Sequence, residues 1–335
     1  MTRAKAPTLE MVAAHAGVSR ATVSRVVNGT PTVNPKVAEA VRASIETLNY
    51  VPNRAARSLA SHRSQAIAVV VPESAAKLFA DPFFASVIQG VVLELAPTDY
   101  TINMIIESES QAAKTRRYLL GGNVDGALVV SHHTGDHSWA ALSGTLPVVF
   151  GGRPLGEGAG ESYYVDVDNA HGARVAVRHL IDTGRRRIAT IAGPQDMPPG
   201  VDRLTGWREA LADAGMEPGP VEYGDFTADS GTAAMARLLR RDAEIDGVFV
   251  ANDQMAVGAY AALAAAGKNV PADIAVVGFD DSYFSVSTDP ALTTIRQPMV
   301  EMGAEMARVL ARLIEGAQAA QVTMLETELV VRAST

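Results

Sequence analysis

Thr8-Leu9-Glu10-Met11-Val12-Ala13-Ala14-His15-Ala16-Gly17-Val18-Ser19-Arg20-Ala21-Thr22-Val23-Ser24-Arg25-Val26-Val27-Asn28-Gly29 encodes two short helices and the turn between them. Thr8 suits the cap of a helix from Leu9 to about Ala16, and Gly17 supplies the left-handed residue that ends it. Ser19 caps a second helix at once, which runs to Val27 and stops at Asn28-Gly29. Two helices about three residues apart with glycine in the turn have the form of a helix-turn-helix. In the second helix Val23, Val26 and Val27 share an inward face, whereas Arg20, Ala21, Ser24 and Arg25 point away from it as a candidate DNA-reading surface. Asn34 as cap and Pro35 at the first position set a third helix, with Val37, Val41, Ile45 and Leu48 closing a small core. The same spacing also suits three small helices of any domain.

Charge singles out the same end. Residues 1–63 carry nine Lys and Arg against three Glu, a net of +6, and residues 64–335 carry 20 against 34, a net of −14, which together give −8. A basic head on an acidic body is the footprint of a chain whose head alone meets a polyanion. The 335 residues are 47% hydrophobic and 20% charged, enough for two domains of about 150 residues and inconsistent with dominant disorder. The absence of cysteine excludes disulfides, thiolate zinc sites and a cysteine nucleophile. Met255 to Gly267, the longest uncharged apolar stretch, is well short of the ~18 residues that span a bilayer, so no membrane anchor is expected. Glu10 and His15 interrupt anything like a signal-peptide core, which points to the cytoplasm.

Beyond Ala66 short β-branched runs alternate with helical stretches: Ile67 to Val71, Thr101 to Ile106, Ala127 to Val130, Val148 to Phe150, Ile188 to Ala192, Val248 to Val250 and Ile274 to Val277. This alternation predicts doubly wound parallel sheets, an α/β fold whose ligands bind beyond the carboxyl ends of the strands. Asp81, Phe83 and Phe84 follow the first run, Ser131 and His132 the third, Asn252 and Asp253 the sixth, and Asp280 and Asp281 the last. No Walker A, Rossmann glycine triplet, nucleophile elbow or His-Glu-x-x-His accompanies them, so a binding cleft without cofactor is expected rather than an enzyme. His132, His133 and His137 invite a metal reading, but the sequence offers them no partner carboxylate, and no metal is expected. Asp280 with Asp281 or Asp253 likewise makes a poor glycosidase pair in this fold.

The quoted stretch, together with Asn49-Tyr50-Val51-Pro52-Asn53-Arg54-Ala55-Ala56-Arg57-Ser58-Leu59, resembles the head of the lactose-repressor (LacI/GalR) family of bacterial regulators. The resemblance implies that Arg20, Ala21 and Arg25 face base edges in the major groove, with Leu9 and Thr32 nearby, and that Thr8, Ser19, Thr22 and Asn28 hold phosphates. Arg25 can donate a bidentate pair to guanine, whereas Ala21 offers only apolar contact, for example to a thymine methyl. Arg20 suits either a guanine or a phosphate. The segment from Asn53 to Leu59 is too short to be a stable isolated helix. The resemblance implies that it folds on DNA, with Ala56 and Leu59 in the minor groove and Leu59 as the wedge that kinks the duplex; packing on the body is the alternative for Leu59.

Residues 64–335 are similar to the effector-binding core of the same family, itself akin to periplasmic sugar-binding proteins. The phrases are Asp81-Pro82-Phe83-Phe84, Gly193-Pro194, Asp202-Arg203-Leu204-Thr205-Gly206-Trp207, Gly224-Asp225-Phe226, Ala251-Asn252-Asp253 and Val277-Gly278-Phe279-Asp280-Asp281. Arg203, Asn252 and Asp280 match hydroxyl-binding positions and Phe226 matches a stacking aromatic; an ion pair at the lobe interface and a core role are the respective alternatives. Asp81, Phe83, Phe84 and His132 complete the expected effector site. Ser131-His132-His133, Gly151-Gly152-Arg153-Pro154-Leu155 and Gln195-Asp196-Met197 look like actinobacterial repressors that sense cellobiose and related oligosaccharides. The implied organisation is a headpiece over 1–51, a hinge over 52–63 and a two-lobed core over 64–335, with one lobe from about 64–165 and 297–320 and the other from about 166–296 and 321–335. The implied partners are double-stranded operator DNA, a small sugar and a second copy of the chain. The final residues Val330 to Thr335 add no heptad segment, which favours a dimer over a tetramer. A regulator responding to another glycoside, a purine or a phosphoprotein, or a solute-binding protein, is the alternative.

Overall fold

The structure, a computed structural model, describes residues 7–27, 32–51, 63–107, 112–133, 142–154 and 159–335. The chain divides into two compact units, residues 1–64 and 65–335.

The first unit holds helices α1 (Leu9–Ala16), α2 (Arg20–Val27) and α3 (Pro35–Thr47). Thr8 Oγ1 accepts the Met11 N–H at 3.4 Å, Gly17 closes α1 at φ 66°, Ser19 Oγ accepts the Thr22 N–H at 3.1 Å, and Asn34 Oδ1 accepts the Lys36 N–H at 3.0 Å. These caps satisfy amide donors that a helix of two turns has few means to spare. Val12, Ala13, Val23, Val41 and Tyr50 are buried together, with Leu9, Val26, Val27, Ile45 and Leu48 packed around them. Val37 departs from the expected core: Ala38 is the buried residue of that turn, and Val37 is only half-buried.

The second unit runs β1 (Ala66–Val71), α4 (Ala75–Ala80), α5 (Pro82–Leu95), β2 (Thr101–Ile106), α6 (Ala112–Tyr118), β3 (Gly126–Val130), β4 (Val148–Gly151), β5 (Tyr163–Val167), α7 (Asn169–Asp182), β6 (Ile188–Ala192), α8 (Pro198–Asp213), β7 (Val221–Tyr223), α9 (Ala228–Arg241), β8 (Gly247–Val250), α10 (Asp253–Ala265), β9 (Ala275–Asp280), α11 (Phe284–Ser287), β10 (Thr293–Arg296), α12 (Met299–Ile314), β11 (Val322–Leu325) and β12 (Glu328–Val330). The first sheet has the order β11-β5-β4-β3-β1-β2 and the second β12-β10-β9-β8-β6-β7. All pairings are parallel except β10 with β12. Each sheet reverses its direction of growth beside its first strand, between β1 and β3 and between β6 and β8, and these are the points where a doubly wound sheet opens a crevice.

The chain crosses between the sheets three times, after β5, after β10 and after β11. The expected division, which gave 321–335 to the second lobe, is corrected here. Val322–Leu325 pairs in parallel with β5 of the first sheet, so the last crossing falls at Glu326-Thr327. The first crossing also comes later than 165, because β5 continues to Val167. Strand β9 outruns its expected end at Val277, since Gly278, Phe279 and Asp280 stay in register with Thr294, Ile295 and Arg296 of β10; this carries Asp280 to the sheet's rim.

Both lobes use the same packing device. In the first, α5 and α12 approach so closely that a Cβ on Gly303 would lie 1.9 Å from the Val87 carbonyl oxygen. In the second, a Cβ on Gly258 of α10 would lie 1.9 Å from the Ala228 oxygen of α9. Only glycine lets these backbones meet.

Candidate functional site

The headpiece presents one candidate surface. Arg20, Ala21 and Arg25 of α2 are exposed, as are Ser19 and Thr32. Thr8 and Ser19 hold the N-termini of α1 and α2, and Ser19 Oγ and Thr22 Oγ1 are 2.9 Å apart at the start of α2. Leu9 is half-buried against the core. Arg20 Nε lies 3.2 Å from Glu10 Oε1, an exposed pair of little energetic weight that leaves the guanidinium free to exchange partners. Asn28, Ala56 and Leu59 lie outside the described residues.

The second surface is a cleft between the lobes of the second unit, with about 680 Å³ of open space. Its walls come from the carboxyl ends of strands on both sides. The first lobe contributes Asp81, Phe83, Phe84 and His132, and the second contributes Arg203, Phe226, Asn252 and Asp280, so all eight residues expected for an effector line one cavity. Their placement follows from local structure. Asp81 caps α5, its Oδ1 accepting the Phe83 N–H at 2.9 Å. Asn252 caps α10 through Met255 N–H at 2.9 Å and donates from Nδ2 to the Phe226 carbonyl at 3.1 Å. Phe226 rests its ring on Gly193, where any Cβ would come within 2.5 Å of the ring. Phe84 is 2% exposed and belongs mainly to the first-lobe core, with Phe83 set edge-on against it at 5.5 Å. His132 is tied by Nε2 to the Arg153 carbonyl at 2.9 Å, its ring edge-on to Phe150.

Arg203 organises the deep end. Its guanidinium donates from Nε to Asn169 Oδ1 at 2.9 Å and from Nη1 to the Ala251 carbonyl at 2.6 Å and to Asp280 Oδ1 at 3.4 Å. It also lies 3.6 Å over the Phe279 ring. Arg203 and Asp280 belong to the same lobe, which disposes of the lobe-interface ion pair as an alternative. Gln297 Nε2 donates to the same Asp280 oxygen at 2.7 Å. Burial pushes the Asp280 carboxyl well above its ordinary pKa despite Arg203. Burial likewise raises Asp81 and lowers the guanidinium of Arg203. Beneath them Asp253, fully buried, accepts from Thr294 Oγ1 at 2.6 Å and the Ser282 N–H at 2.8 Å, and burial outweighs these bonds to raise it to about 7. The backbone is strained at the same place: Ser131, Phe226 and Asp280, all cleft residues, have φ of 68°, 72° and 111°. Such conformations persist where surrounding contacts over-determine them, and they gather at functional sites.

Several cavity residues escape a sequence reading. Asp166 at the end of β5, Asn169 at the start of α7 and Gln297 just after β10 flank the crossings between lobes, whose position depends on β5 and β10, strands too short and polar to be recognised. Glu73 and Lys77 reach the cavity from the loop after β1 and from α4. Met197, Pro198 and Pro199 add an apolar edge at the start of α8. His133 also corrects an expectation: it does have partner carboxylates, Glu73 and Asp196. Among the described residues no group of three or more His, Cys, Asp or Glu is arranged to hold a metal ion, and no helix is long and apolar enough to cross a membrane.

Comparison with known proteins places both units. Residues 8–53 match the model for bacterial regulatory proteins of the lacI family, and residues 177–335 that for a periplasmic binding protein-like domain. The chain is 49% identical over 339 residues to the HTH-type transcriptional regulator CelR of Thermobifida fusca, with all of both chains covered. It is 35% identical to the ribose operon repressor of Escherichia coli K12, covering 88% of this chain and 89% of that one. Among solved structures it resembles a transcriptional regulator CelR-cellobiose complex (TM-score 0.79, 47% identity, 98% of this chain and 100% of that one). It also resembles a lac repressor dimer bound to operator and an anti-inducer (TM-score 0.87, 31% identity, 98% and 99%). With a helix-turn-helix head, two parallel sheets flanking a cleft, and relatives matched end to end, the chain belongs to the lacI family of bacterial regulatory proteins.

Proposed function

We propose that the chain is a DNA-binding transcriptional repressor that acts in the cytoplasm as a homodimer on an inverted-repeat operator and is released from it by a small sugar, cellobiose or a related glucoside. It is a regulator and not an enzyme. Arg25 reads a guanine, Arg20 a guanine or a phosphate, Ala21 supplies an apolar contact with Leu9 and Thr32 nearby, and Thr8, Ser19, Thr22 and Asn28 hold phosphates. Residues 52–63 serve as a hinge that brings Ala56 and Leu59 to the minor groove. One helix-turn-helix reads only a half-site, so a second copy supplies the other.

The observation that carries the effector half is the polar floor of the cleft. Arg203, oriented by Asn169, Ala251 and Phe279, faces Asp280 and Asn252 beneath the apolar faces of Phe83, Phe226 and Met197. Fixed donors and acceptors beside an aromatic platform suit a polyhydroxylated ring. The cellobiose complex of a regulator 47% identical to this chain supports the glucoside. Sugar bound between the lobes alters their relation and lowers operator affinity, a coupling of about 1–3 kcal/mol in typical cases.

Calorimetry against a panel of mono- and disaccharides tests the ligand. We expect binding of cellobiose and weaker or no binding of glucose; binding of a purine alone would overturn it. Removal of residues 1–63 should abolish DNA binding and leave sugar binding intact.

A further inference from the structure

Among the described residues, two ion pairs join the lobes at the mouth of the cleft, outside the cavity. His133, just past β3 in the first lobe, has Nε2 3.2 Å from Glu73 Oε1 of its own lobe and Nδ1 2.7 Å from Asp196 Oδ2, in the loop after β6 of the second. Arg153 of the first lobe donates from Nη2 to both carboxylate oxygens of Asp202 on α8, each at 2.9 Å. A neutral imidazole donates from one nitrogen only. Carboxylates at both ring nitrogens, one from each lobe, demand the imidazolium. We propose that His133, as the imidazolium, latches the two lobes together across the cleft mouth, so that the cleft opens and releases its ligand more readily as pH rises.

The surroundings bear on this directly. Among the described residues, the charged groups about His133 are Glu73, Lys77 on α4 and Asp196; the cavity beyond is lined by Asp81, Asp166, Arg203 and Asp280, and the Arg153–Asp202 pair stands at the mouth. Burial would raise Glu73, but bonds from His133, Lys77 (2.9 Å) and Ser131 (2.9 Å) outweigh it and bring it to about 2, so its charge is fixed. The Glu73 bond first and Asp196 after it overcome burial and lift His133 to about 9. A histidine pKa raised by its partners gives a contact that is complete below the ordinary value near 6.5 and is lost as pH climbs through about 9. When the lobes part, Glu73 stays with His133, so only the Asp196 share is lost, and the closed-to-open ratio falls by about tenfold or less. Arg153 keeps its charge throughout that range. Neither His133 nor Asp196 lines the cavity, whereas Glu73 does, so Asp196→Ala is the substitution that removes the bond between the lobes without touching a partner of the lining.

The chain has no cysteine, so Ala76→Cys and Asp229→Cys, both at exposed positions on opposite lobes, accept one pair of spin labels per chain, and an excess of unlabelled chain isolates the intra-chain distance in the proposed homodimer. Inter-lobe distances in the sugar-free full chain, measured by electron–electron double resonance at about pH 7 and about pH 10, test the latch. We expect one short population at neutral pH and a longer one emerging at alkaline pH. Asp196→Ala and His133→Gln should show the longer population already at neutral pH and lose the response. Asp202→Ala should lengthen the distance at both values and keep the response. An unchanged distribution in the labelled parent, or a pH response that survives Asp196→Ala, overturns the proposal. The consequence for cellobiose rests on the function proposed above: its affinity should fall in parallel, by about tenfold or less. Lobes that open with pH in a chain that binds no cellobiose would sustain the latch and defeat the sugar assignment alone.

Discussion

Arg203 shows how much one side chain carries. Asp280, Asp166, Asp253 and Asp81 all feel its charge, and among the described residues no other Lys or Arg is buried. Arg203→Met strands these carboxylates and should cost about 3–5 kcal/mol in urea unfolding, besides abolishing sugar binding in calorimetry. Asp280→Asn, which imitates the protonated acid that burial favours, should cost less while also removing sugar affinity. Asp253 makes a separate prediction. Its folded pKa of about 7 lies above the ordinary 3.8, so the folded chain holds a proton that the unfolded chain has released. Stability therefore falls as pH rises from about 4 to about 7. Asp253→Asn should flatten that slope in thermal unfolding, and an identical slope in both proteins would contradict the assignment. At the headpiece, Arg25→Ala should cost about 1–3 kcal/mol of discrimination at one operator position, read by anisotropy against singly substituted duplexes. A loss that is uniform across sequences would make Arg25 a phosphate contact instead.

At the scale of elements, the close-packed helix pairs dictate sequence most strictly. Gly258→Ala forces α9 and α10 apart and should destabilise the chain by about 1–3 kcal/mol or more, measured by denaturant midpoint. The elements also explain what a sequence reading can reach. The headpiece helices were legible because each opens on its own cap, at Thr8, at Ser19 and at Asn34 followed by Pro35, and Gly17 ends the first. The central strands were legible because burial on both faces makes them continuous apolar runs, as in Ala66–Val71. Edge strands such as Val322–Leu325, exposed at alternate residues, lack that run, and the lobe assignment of the final segment erred for this reason. The eight expected cleft residues were legible because they follow strands or match a familiar pattern. Asn169, Gln297 and the Asp196 partner of His133 were not, because each meets its neighbours across a crossing or a lobe boundary that no local pattern encodes.

For the whole molecule, the two sheets repeat one strand order, and each places its crevice at the strand pair where that order reverses. A cleft made this way draws walls from both lobes, and the segments around two of the three crossings supply Asp166, Asn169 and Gln297 to its lining. On the proposed function, a ligand in the cleft would touch side chains that also stand where the lobes join, which is the physical requirement for an effector to act at a distance. The most direct test of the account is the affinity of the full-length chain for an inverted-repeat operator, selected from random duplexes, measured by anisotropy at fixed salt with and without saturating cellobiose. We predict tight, sequence-selective binding that weakens by about 5- to 150-fold with the sugar. Operator affinity that is identical at every cellobiose concentration, in a chain that calorimetry shows to bind the sugar, would contradict it.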